Sequence, residues 1–94
     1  MGDRFGVAGA LEGIAGVARD RDEPEVAARL FAAAATLREE IGGVREGADQ
    51  AEYDRDLAAT RAALGDDAFD AAWAAGAALT LDEAIAEARR SGAS

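Results

Sequence analysis

Apolar side chains recur at Val26, Leu30, Ala33/Ala34, Leu37 and Ile41, the spacing that lines one face of an α-helix. A second stripe, Ala27, Phe31 and Ala34/Ala35, adjoins the first, while Arg29, Arg38, Glu39 and Glu40 turn outward. An apolar arc this wide has to be covered by more than one neighbour. Pro24 sits in the predicted first turn, where a missing N–H costs nothing, and Gly42-Gly43 stops the pattern. The stretch is predicted to be the central helix of an all-α domain covering residues 1–94.

The other elements are defined against it. Over residues 3–19, Val7, Leu11, Ile14 and Ala18 repeat at helical spacing, widened by Ala10 and Val17, and predict a first helix that forms a hairpin (3–42) with the central one. Its glycines, Gly6, Gly9, Gly13 and Gly16, fall along one stripe. Each interior glycine costs roughly 1 kcal/mol relative to alanine, which another backbone approaching closely there would explain. Codon drift between glycine and alanine explains it equally. Asp49 and Glu52 have capping-box spacing and open a predicted helix over 49–64 with Tyr53, Leu57, Thr60/Arg61 and Leu64 on its apolar stripe. Gly65 ends it, and Asp66 is expected to cap a short helix over 66–76 anchored by Phe69 and Trp73, the latter expected in the core. Thr80 and Glu83 form a second capping box, opening a helix over 80–90 with Leu81, Ile85 and Ala88 on one face and Arg89-Arg90 at its negative end. Residues 91–94 read as a frayed tail. The whole makes about five helices.

Composition narrows the chemistry. Alanine is far above ordinary usage, so large core side chains are few and helices must pack closely. Every basic residue is arginine, which fits a GC-rich genome. With no cysteine or histidine there is no disulfide framework, thiolate nucleophile, catalytic triad or Glu-x-x-His metal pair, and no metal or other cofactor is expected. The Asp20/Asp22 pair is not a calcium loop: Pro24 takes an early ligand position and Phe31 stands where the bidentate acid is needed. A net charge of −9 repels phosphate backbones and argues against direct contact with nucleic acid. No stretch is long and apolar enough to span a bilayer, so a cytoplasmic location without membrane contact is expected.

Residues 10–35 resemble the tetratricopeptide hairpin pattern in part. Leu11 takes its tryptophan position, Ile14 the leucine, Ala15 the small residue, Ala18 the tyrosine, Ala27 and Ala34 the alanines and Phe31 the aromatic, while Asp22 stands at the turn glycine and Glu39 at the terminal proline. Over most of the chain the runs RLFAAAATLRE, EYDRDLAATRAALGDDAF and W-x-x-G-x-x-L-T-L-D-E-A resemble the C-terminal end of large ATPase-containing bacterial transcriptional regulators of the LuxR-type and SARP-type groups. The resemblance implies a sensor or interaction region. There is no Walker A loop and no basic recognition helix, so nucleotide and DNA binding are not carried over with it.

The function expected is therefore a non-enzymatic helical protein-interaction or signal-transducing module of a transcriptional regulator. The interaction residues expected are Gly9, Glu12, Gly13, Gly16 and Arg19, where the first helix would self-associate or meet a neighbouring helical repeat. The alternative is a small-molecule-binding or enzymatic helical domain using Asp66, Asp67 and Asp70, although capping and the helix dipole account for acids at a helix start without chemistry.

Overall fold

The computed structural model describes residues 4–41 and 47–93, with side chains over 6–40 and 50–90. The described residues form an all-α fold with five helices: α1 (Arg4–Asp20), α2 (Pro24–Ile41), α3 (Gly47–Leu64), α4 (Asp66–Ala77) and α5 (Leu81–Ala93). Helix α2 touches all four others and packs most extensively on α1 and α4, as its wide apolar arc requires. Its Ala27, Leu30, Phe31, Ala33 and Ala34 form one core with Leu11, Ala15 and Ala18 of α1 and Ala84 and Ala88 of α5. On another side of α2, Ala28 forms a smaller core with Phe69 and Ala72 of α4. Most of these buried residues are alanines, so the large fillers are Leu30 and Phe31, at 0% and 1% exposed.

The α1–α2 turn shows how the sequence closes the hairpin. Asp22 has a φ of 64°, in the left-handed region. The Glu23 N–H donates to the Ala18 carbonyl at 2.8 Å and the Asp22 N–H to the Arg19 carbonyl at 3.1 Å. These two bonds are the Schellman pattern, with Asp22 in the place usually taken by glycine. Aspartate tolerates this conformation better than most residues, so the turn forms without the glycine.

Further along, Gly65 turns the chain between α3 and α4 with a φ of 87°. The sequence suggests Asp66 as the cap of α4, but the cap is Gly65, with no side-chain hydrogen bond, and Asp66 is already the first helical residue. The positive φ that reverses the chain needs glycine there and displaces the aspartate by one position. At α5 the expected box is complete: the Thr80 N–H donates to Glu83 Oε1 at 2.8 Å, and the Glu83 N–H to Thr80 Oγ1 at 3.1 Å.

Three other expectations need correction. Helix α3 begins at Gly47, so Asp49 lies inside it. Trp73 is half-buried, stacked on Phe69 with ring centroids 5.6 Å apart, because Phe69 fills the α2–α4 core beneath it. Val17 is 50% exposed, since α2 covers the neighbouring Ala15–Ala18 face of α1 instead. The expected stop at Gly42-Gly43 lies outside the described residues, as do the side chains of the tail.

Candidate interaction surface

Tight packing of helices on α2 occurs at one described glycine. A Cβ built on Gly76 of α4 would lie 2.2 Å from the Arg29 carbonyl oxygen and 2.7 Å from its Cα. Those are backbone atoms that cannot swing aside, so only glycine lets α4 cross α2 at this depth. At Gly9, Gly13 and Gly16 a Cβ would meet nothing within 4 Å. The expectation that a backbone lies against the α1 stripe is thus not met among the described residues at these three positions.

Those three glycines instead line an open groove of about 420 Å³, together with Glu12 of α1, Phe31 and Arg38 of α2, and Glu52, Tyr53 and Asp56 of α3. Phe31 and Tyr53 meet edge to face beneath it, centroids 5.8 Å apart at 82°. Charge pairs fasten its walls. Arg38 donates twice to Glu12, Nε to Oε2 at 2.9 Å and Nη2 to Oε1 at 3.0 Å, a bidentate pair linking α2 to α1. Arg19 Nη1 lies 3.0 Å from Asp56 Oδ1, tying α1 to α3. Of the expected interaction residues, Gly9, Glu12, Gly13 and Gly16 therefore share one groove, and Arg19 holds a groove residue in place. Glu12 and Arg19 are engaged within the chain, so the unoccupied part of the groove wall is the glycine stripe.

A second charged cluster escaped the sequence reading. Glu87 of α5, 8% exposed, accepts from Arg29 Nε at 2.7 Å and also pairs with Arg90, while Arg29 Nη1 reaches Glu25 at 2.7 Å. Burial alone would raise the Glu87 pKa, but the hydrogen bonds from Arg29 and Arg90 outweigh it and hold the carboxyl below its ordinary value. The same balance raises Arg29, burial opposing the charge and the bonds to Glu87 and Glu25 prevailing. Arg29 and Glu87 stand 58 residues apart, and no local pattern couples them.

The acids of the alternative reading lie on the outside. Arg61 stands 4.4 Å over the Phe69 ring, with Asp66 at 3.2 Å and Asp70 at 3.6 Å. This is a solvent-facing ion network over the α3–α4 seam. No group of acids among the described residues is arranged to hold a metal ion.

The chain is 45% identical over 85 residues, 90% of its length, to an HTH-type transcriptional regulator of Mycobacterium tuberculosis and to one of Mycobacterium bovis. It spans about a tenth of the length of these curated relatives. No family model and no solved structure matches it. A relation to transcriptional regulators is therefore established. It also overturns one expectation. HTH-type regulators take their class from a DNA-binding motif, which conflicts with a protein that makes no direct contact with nucleic acid. The charge argument failed because −9 is the charge of a segment matching one tenth of the relatives and carries no information on the other nine tenths. Among the described residues no helix is long and apolar enough to cross a membrane.

Proposed function

We propose that this chain is the tetratricopeptide-like protein-interaction module of a transcriptional regulator of the LuxR or SARP type, and that the α1–α3 groove is its working surface. The observation that carries the reading is the contrast among glycines. Interior glycines in α1 weaken the helix, and none of the described residues lies close enough to Gly9, Gly13 and Gly16 to require them. A partner backbone settling against α1 would. The tetratricopeptide likeness is supported by the left-handed Asp22 at the turn-glycine position and by the burial of Ala15, Ala18, Ala27, Phe31 and Ala34 at the pattern's packing positions. The role is binding rather than catalysis: the groove offers paired charges and an aromatic floor, with no histidine or cysteine in the chain to serve as base or nucleophile.

The test is photo-crosslinking in the host cell, with the crosslinking residue at position 16 and, for comparison, at exposed Ala62 outside the groove. A protein adduct at position 16 that is absent at 62 and lost when Gly13→Leu fills the groove is expected. Adducts of equal yield at both positions, or an adduct indifferent to Gly13→Leu, overturn the assignment.

A further inference from the structure

A second groove runs on the other side of α1, between it and α5, and its chemistry is different. It encloses about 620 Å³ and is lined by Val7, Ala10, Leu11 and Ile14 of α1 and Ile85, Ala88 and Arg89 of α5. Both walls repeat like the seam of a coiled coil. On α1, the lining residues Val7, Ala10 and Ile14 are spaced three and four residues apart, and none of them is fully buried. On α5, the lining residues Ile85 and Ala88 are three apart, and Leu81, four residues before Ile85, lies outside the lining and is 39% exposed. Alternating steps of three and four are what one helix presents to the side chains of another. A flat sheet edge or an extended peptide, with a repeat of two, would not keep register with either wall.

The charge at the groove is the second observation. Arg19, Arg29, Arg38, Arg61 and Arg90 all pair with carboxylates of the chain. Arg89, the polar residue of the groove lining, is exposed and makes no ion pair among the described residues. Its position near the end of α5 complements the helix dipole, but that leaves its guanidinium free to bond outward.

We infer that the α1–α5 groove docks an amphipathic helix of a protein partner whose apolar three-four stripe is flanked by carboxylates, at least one of them placed to pair with Arg89. The overall negative charge of this chain does not forbid an acidic visitor. At physiological salt, charges more than about 8 Å away are largely screened, so the contact with Arg89 decides. The recognition is helix-in-groove, with aliphatic anchors giving affinity and the arginine giving orientation and choice of flank. This surface is distinct from the glycine groove and does not depend on it.

The probe is a pair of synthetic helical peptides with leucine at three-four spacing, one flanked by glutamate and its twin by lysine, titrated against the whole chain at physiological salt by fluorescence anisotropy. The glutamate peptide is expected to bind at least about tenfold more tightly than the lysine twin. Arg89→Glu should reverse that order, and Ala10→Glu, which places a charge in the seam at an exposed position, should abolish binding of both. Circular dichroism melts identify any variant that has lost its fold, in which case Ala10→Gln, neutral and helix-compatible, replaces Ala10→Glu. Absence of binding at millimolar peptide, binding indifferent to both variants, or a preference unmoved by Arg89→Glu overturns the inference. So does a dimer in sedimentation that Ala10→Glu dissociates, since a second copy would then be the occupant. Gly13→Leu should leave the peptide titration unchanged, which separates failure here from failure of the glycine-groove reading.

Discussion

Where α4 crosses α2, Gly76 lies so near the Arg29 backbone that a methyl group would have to occupy the space of a carbonyl oxygen; along α1, three glycines in a row face open space. The residue type is the same in both regions, and its energetic meaning is opposite. At Gly76 the conformational cost of glycine is offset within the chain, by the depth of the α2–α4 contact that buries Phe69 and Ala72. At Gly9, Gly13 and Gly16 the cost stands without an internal return. A glycine in a helix thus becomes informative only when the space above it is known, and an uncompensated one draws attention to something outside the folded chain.

The largest effect should come from the core beneath the glycine groove. Phe31 is buried on α2, under the glycine groove and against Tyr53. Phe31→Ala should cost about 3–5 kcal/mol, enough to leave little or no cooperative transition in a domain this small. A urea melt with nearly wild-type midpoint would show that Phe31 does not hold the core under the α1 stripe. Next, Gly76→Ala should destabilise by up to about 2 kcal/mol. Overpacking against backbone costs up to about 3 kcal/mol, and the helix-propensity gain of roughly 1 kcal/mol that alanine brings is smaller. An unchanged or raised melting temperature would mean that α4 can ride outward freely, and the contrast between the two regions would collapse.

Charge holds α5 on α2 where shape holds α4, and its removal ranks third. Glu87→Gln should cost about 2 kcal/mol at neutral pH, less than for a wholly buried pair, because the Arg29 side chain keeps 23% of its exposure. The sign of the pH dependence follows from the Glu87 carboxyl, which is held below its ordinary value in the folded state. Its contribution is present above the pKa of the unfolded chain and is lost as pH falls through the folded one. The stability gap between wild type and Glu87→Gln should therefore narrow on acidification, and a gap constant from neutral to acid pH would rule the pair out as a source of stability.

These examples also show what can be read along the chain and what cannot. The central role of α2 was visible because its apolar arc is itself wide. The Thr80–Glu83 box was visible because both partners are three residues apart, whereas the left-handed conformation of Asp22, which stands where the repeat pattern has glycine, needed the structure. The pairing of Arg29 with Glu87 and the crossing at Gly76 depend on where distant helices come to rest, and nothing local encodes that. Trp73 was misplaced for the same reason: size and spacing predict that an aromatic is covered, but which of two neighbours, Phe69 or Trp73, takes the inner position is set by the α2 surface beneath them. The α1 stripe is an intermediate case. Its alignment on one face was legible, whereas the open space above it among the described residues needed the structure.

The smallest expected effects bear most directly on that stripe. With open space above Gly13 and Gly16, alanine at either position should stabilise the isolated chain by up to about 1 kcal/mol, through helix propensity and a less flexible unfolded state. Two accounts of the glycines share this outcome in the isolated chain and part company once a partner is present. If base composition alone placed them, Gly13→Ala and Gly16→Ala will raise the melting temperature and leave the position-16 neighbourhood's crosslinking, read from a probe moved to Gly9, unaltered. If a partner backbone lies against α1, the same substitutions will raise the melting temperature while weakening that crosslink, because each methyl group occupies space the partner needs. A stability gain coupled to a binding loss is the signature of a surface kept at a cost to the fold. Lower melting temperatures for both variants would contradict the open space itself.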